Sequence, residues 1–172
     1  FDTRVHVREP VSGMTFKRKL VGLDFGASAP TAAYEIGVDQ GNRVWVLREF
    51  YKRNADDAAW VAEVASWGVN QIFCDPSRSE KDIETLRRIY GLPIKAARSN
   101  SFDLRFRLFG GRLTIRADGE PGMYISPACP NLTAEIPNLA LNKPRGLDYD
   151  ASRGWMPGCA DHGWTSVCYV LE

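Results

Sequence analysis

The sequence lacks any CxxC pair, and its four cysteines, Cys74, Cys129, Cys159 and Cys168, stand apart. That spacing argues against a zinc site, and it is not that of a small secreted disulfide framework. The four are read as reduced thiols of a cytosolic protein. No apolar run is long enough to span a membrane, and no secretory signal is read at the start. There is no G-x-x-x-x-G-K-S/T phosphate loop, so a motor built on that loop would have to sit on another domain. "DFG" occurs at 24–26, but the glycine-rich loop, lysine strand and catalytic loop of protein kinases do not accompany it. Internal repeats and low-complexity tracts are missing as well. The net charge is only +1, so the molecule as a whole is not a polycation.

What is present suits one soluble domain. The 172 residues suffice for a sizeable core, and 44% hydrophobic with 25% charged residues is an ordinary balance. The chain begins at Phe1 rather than Met and is read as part of a longer protein. Sixteen of the 22 basic residues are Arg, the side chain suited to bidentate phosphate contacts. Five of these (98, 105, 107, 112 and 116) fall in 98–116 against one acid, Asp103. From charge alone, a solvated face explains this run equally well.

Along the chain, 1–18 is a polar leading segment or linker. Buried strands are expected at 19–25 and 31–38, and "DQGN" at 39–42 signals a hairpin turn into a third strand at 43–51. Short turns make these three an antiparallel meander. The periodicity then becomes helical over 54–68, with Asn54 as the expected cap and Trp60, Val61 and Val64 on one face. A short strand at 69–75 follows, then a helix at 79–91 and a strand at 92–97. The last two strands follow helical crossovers and are expected to run parallel to the first. The predicted fold is therefore α/β: a mixed five-stranded sheet, three antiparallel strands then two parallel, flanked by helices. Beyond it, 101–109 reads as a short helix, 111–126 as an added β-hairpin, 129–136 as a helix start, 142–160 as a loop and 161–172 as an amphipathic helix.

Asp24 ends the first strand and Asp75 the fourth. If those strands are parallel neighbours, their backbones lie roughly 4.8 Å apart. Both acids then project from adjacent carboxyl ends, where open α/β sheets place their sites. Two unpaired carboxylates there repel each other and favour a hard divalent cation, Mg²⁺ or Mn²⁺. A third acid from the C-terminal helix would complete a two-metal phosphodiester-cleaving site. The plainer reading of each acid is a turn or cap residue.

Six segments, "GLDFGASAP" (22–30), "VWVLREFY" (44–51), "FCDP" (73–76), "GGRLTI" (110–115), "ISPACPNLTAEI" (125–136) and "DHGWTSVCYVL" (161–171), share an order with one family. In these the chain resembles the C-terminal nuclease domain of tailed-phage terminase large subunits, an RNase H-like (RuvC-like) fold, over 19–172. The resemblance implies a Mg²⁺- or Mn²⁺-dependent endonuclease that cuts double-stranded viral DNA during genome packaging, with two ions per site and little sequence specificity. By position, Asp24 and Asp75 match the first two family acids. The third departs from the pattern: the family has His, two residues, then Asp, whereas this chain has His162, Gly163, Trp164 and Thr165. Asp161 lies four residues earlier, and i and i+4 share a helix face, so Asp161 is a candidate replacement. His162 is a candidate ligand or proton carrier.

The resemblance also gives the arginines a role, with Arg105, Arg107, Arg112 and Arg116 expected to touch DNA phosphates. It implies an ATPase domain in the same full-length protein, the small terminase subunit and the portal as partners, no membrane, and the host cytoplasm as location. Two alternatives stand beside it. One is a catalytically weakened DNA-binding module, suggested by Thr165. The other is a fragment of an actin-like ATPase, suggested by "GLDFGASAPTAA".

Overall fold

In the computed structural model, which describes residues 1–26, 28–141, 154–156 and 158–172, a short helix, α1 (Thr3–His6), precedes three strands. These are β1 (Arg18–Asp24), β2 (Pro30–Val38) and β3 (Val44–Arg53). Then come α2 (Asp57–Ser66), β4 (Gln71–Cys74), α3 (Glu80–Tyr90), β5 (Ile94–Ala96) and α4 (Phe102–Leu113). The chain ends with β6 (Met123–Ile125), α5 (Pro130–Glu135), a 3₁₀ turn (Ile136–Asn138) and α6 (His162–Leu171). The sheet has the order β5-β4-β1-β2-β3-β6. β1, β2 and β3 are antiparallel neighbours, and β4 and β5 run parallel to β1, as the meander and the helical crossovers require.

Period-two alternation sorts the strands onto two cores. Val21, Leu23, Ile72 and Cys74 pack with Trp60, Val64 and Trp67 of the α2 side and with Ile83 and Leu86 of α3. Ala32, Tyr34, Ile36, Val44 and Val46 pack with Phe109, Leu132, Trp164 and Val167 from α4, α5 and α6. Central β2 is covered on both faces, so it reads as a nearly unbroken buried run. Its one buried acid, Glu35, is held by Lys19 and Arg48, each at 2.5 Å.

The structure corrects three sequence expectations. The sheet has six strands, because Met123–Ile125 joins β3 in parallel as an edge strand. The added hairpin at 111–126 is thereby reduced to one bridge, Ile115 to Pro121. Its first half is helical: α4 continues through Gly110 and Gly111, which cost about 1 kcal/mol each against Ala. Phe102, Phe106, Phe109 and Leu113 continue one stripe into the core beside α6, and that burial outweighs the glycines. The cap of α2 is Asp56, which accepts the Ala59 N–H at 2.8 Å, while Asn54 takes a positive φ of 51° in the preceding turn. The leading segment packs on the domain: buried His6 bonds the Leu113 carbonyl at 2.8 Å and Val7 bridges Ile125. Of the expected loop 142–160, residues 142–153 and 157 lie outside the described residues.

Candidate functional site

The site begins with alternation. Val21 and Leu23 face α2 and α3, which turns Gly22 and Asp24 to the opposite face, where α6 crosses. Ile72 and Cys74 do the same for Phe73 and Asp75. In the parallel pairing of β1 and β4, Gly22 opposes Phe73 and Leu23 opposes Cys74. Asp24 is the last residue of β1 and Asp75 the first after β4, so the two acids come at adjacent carboxyl ends, and the charges of both reach Tyr169 of α6. α6 lies directly over this point: a Cβ on Gly22 would run into the Ser166 carbonyl oxygen. Glycine is what lets the helix sit so low on the strand.

α6 brings its own groups to the acids. His162 Nδ1 bonds Asp24 Oδ2 at 3.0 Å. That bond raises the pKa of His162 above its ordinary value against the opposing effect of burial, and the charges of Asp24 and Asp161 add to it. Asp161 is pushed up by burial first, with the Asp24 charge contributing, so the two carboxylates sense each other. Thr165 Oγ donates to Asp161 Oδ2 at 3.5 Å, the two being one helical turn apart. Asp75 accepts the Ser77 N–H at 2.7 Å in its own loop. Tyr169, two percent exposed, has its phenol raised by burial and then by the charges of Asp24 and Asp75, so both acids act on one side chain.

Sequence reading missed Glu135. This buried side chain at the end of α5 accepts Gly163 N–H at 3.2 Å and Trp164 N–H at 2.7 Å, so it caps α6 from a neighbouring element. Asp161 occupies the N-cap position but makes no capping bond, which leaves its carboxylate to the Asp24 side. Burial pushes Glu135 up to about 7, while the two N–H bonds pull the other way. Its charge and burial in turn raise Tyr51 to about 12, with burial the larger cause. Only the acid in "NLTAEI" marked Glu135 in the sequence; its partners lie 28 and 29 residues away.

The arginines stand elsewhere than expected. Arg105 is buried and pairs with Glu172 at 2.9 Å, donates to the Ser99 carbonyl at 2.9 Å and covers the Tyr169 ring at 4.5 Å. It is a core cation joining α4 to α6, not a phosphate contact. Arg107 is exposed and pairs with Asp103 along its own helix. Arg112 donates to the Asn42 carbonyl at 3.2 Å and Arg116 to the Gly41 carbonyl at 3.0 Å. Both fasten the β2–β3 turn, at the end of β2 remote from Asp24.

The donor chemistry here fits a hard divalent ion: Asp24 and Asp75 are carboxylates at the ends of neighbouring parallel strands, and Asp161 is close enough to sense the Asp24 charge. Among the described residues, no three His, Cys, Asp or Glu side chains already converge as a metal cluster. Asp24 is engaged with His162 and Asp75 with Ser77, and position 165 offers a neutral hydroxyl.

No family model and no curated protein matches this sequence. Solved structures do. The large terminase of a thermophilic bacteriophage superposes on 99% of this chain and 42% of its own, with a TM-score of 0.73 and 17% identity. The nuclease domain of the large terminase from bacteriophage SPP1, solved with bound Mn, matches 96% of this chain and 93% of that domain, with a TM-score of 0.69 and 19% identity. A large-terminase nuclease from a second thermophilic phage, solved with bound magnesium, matches 97% of this chain and 91% of its own, at 0.63 and 13%. The chain thus spans less than half of the first large terminase's chain and nearly all of the two nucleases. It has the RNase H-like fold of large-terminase nuclease domains, as the resemblance implied.

Proposed function

We propose that this domain is a divalent-metal-dependent endonuclease that cuts double-stranded phage DNA during genome packaging, with little sequence specificity. The observation that supports this reading is the parallel pairing of β1 and β4, whose adjacent carboxyl ends carry Asp24 and Asp75 under α6. Asp24 and Asp75 would hold Mg²⁺ or Mn²⁺, two ions in the full site, with Asp161 as the third acid. The ions, when bound, supply Lewis acidity towards a phosphodiester. The chain's own part is positioning: His162 orients Asp24 through the 3.0 Å bond, and Glu135 fixes the start of α6. As part of a longer terminase, the domain would act beside an ATPase domain, with the small subunit and portal, in the host cytoplasm.

Thr165 favours a second reading, a weakened nuclease that mainly binds DNA, because a neutral hydroxyl stands where the family carries an acid. Incubation with supercoiled plasmid and Mn²⁺ separates the two. Relaxed and linear products that EDTA suppresses, and that Asp24→Asn and Asp75→Asn lose, are the expected result. Binding without any cutting selects the second reading, and cutting undiminished in EDTA rejects the metal-dependent one.

A further inference from the structure

Cations already claimed inside the fold are poorly placed to take a ligand. Most here are claimed: Arg8 by Glu120, Arg43 by Asp118, Arg87 by Glu80, Arg105 by Glu172, and Lys19 and Arg48 by Glu35. Arg18, Lys95 and Arg98 are different. All three are exposed, they have no hydrogen-bond or ion-pair partner among the described residues, and they line one groove of about 490 Å³.

The groove lies on the α6 face of β1, β4 and β5. Its floor includes half-buried Phe73, with Lys95 Nζ 4.8 Å from the ring centroid, and the buried Tyr169. The acid in its wall, Glu172, has a side chain only 2% exposed and is already spent. Its carboxylate takes Arg105 Nε at 2.9 Å and the Ser99 N–H at 2.8 Å. Three cations without an ion-pair partner among the described residues therefore line one groove whose side-chain acid is already paired, a setting that attracts a polyanion. The groove also leads to the acids. Asp75 follows directly on β4, two residues beyond Phe73, about 7 Å further along an extended chain. Ala97 N–H bonds the Cys74 carbonyl at 2.8 Å, which brings Arg98 beside the same strand end.

We propose that the Arg18–Lys95–Arg98 groove seats the phosphate backbone of duplex DNA and leads it to the Asp24–Asp75 pair. The assignment rests on the nuclease reading and deepens it by naming the side chains that hold the backbone. Arginine forks and a lysine point charge at the rim suit phosphate oxygens, and nothing in the groove requires a particular base.

Binding can be measured in EDTA, so no metal enters the readout. A short labelled duplex is titrated by fluorescence anisotropy across a KCl series with three proteins: the parent, an Arg18→Gln, Lys95→Gln, Arg98→Gln variant, and a charge-matched Arg107→Gln, Arg112→Gln, Arg116→Gln control. Three lost phosphate contacts should lower the slope of log Kd against log salt by about 2.7, while the control keeps the larger part of the parent's slope. Single variants, each expected to lose about one unit, replace the triple variant if it lacks a melting transition. If the groove variant keeps the parent's affinity and slope, or the control loses as much slope, the groove is overturned and the nuclease reading stands. A parent that binds no duplex at any salt overturns both.

Discussion

Position 165, where the resemblance expects the third acid of the proposed site, carries a hydroxyl. A carboxylate supplies the charge a hard cation prefers, and Thr165 does not. If that lost charge limits ion binding, Thr165→Asp should raise the cutting rate most at low Mn²⁺. If Asp161 supplies the third acid, Asp161→Asn should be as damaging as Asp24→Asn, and Thr165→Asp should add little. Rates over a Mn²⁺ series distinguish these outcomes, and identical curves for parent and both variants would remove α6 as a source of the third ligand. His162 adds a pH dependence. Its folded pKa is raised by the bond to Asp24, so the stabilisation is fully present below the unfolded value of about 6.5. It is lost as pH rises through the raised folded value. Glu135, pushed up to about 7 by burial, also costs stability as pH rises, but lower, between the ordinary glutamate range and its raised value. In urea unfolding in EDTA, these two groups should therefore lower stability from about pH 5 to mildly alkaline pH. His162→Gln should remove the upper part of that fall and leave the lower part.

Most individual elements were legible in the sequence, and their joints were not. β1 to β3 announce themselves by apolar runs and the "DQGN" turn, α3 by its Ser79 cap and Gly91 stop, and the Asp24–Asp75 pairing follows from parallel strands of known ends. α4 was misread because Gly110 and Gly111 look like a breaker, and only the core beneath Phe109 and Leu113 overrides them. Arg105 was misread because its partner, Glu172, lies 67 residues away. That pair clamps α4 to α6 with side chains 7% and 2% exposed. Arg105→Ala leaves Glu172 buried without its cation and should cost about 3–5 kcal/mol, the range for breaking a buried pair. Chemical denaturation measures it, and a loss below about 1 kcal/mol would instead match the worth of an exposed pair.

On the scale of the molecule, one sheet separates two cores, and the proposed site sits where the strand order runs away from β1 in both directions. No nucleotide loop of the G-x-x-x-x-G-K-S/T type is present. Plasmid cutting by this chain should therefore proceed at the same rate with and without ATP, which a paired gel assay checks. A dependence on ATP would place a nucleotide site within these 172 residues. The Glu135 cap carries a last consequence. It ties the first turn of α6 to the last turn of α5 across 28 residues of chain. The third wall of the site is thus registered by a crosswise anchor, independent of the length of chain that leads into it. A change in the length of that segment would therefore leave the first turn of α6, and His162 with it, where Glu135 holds it.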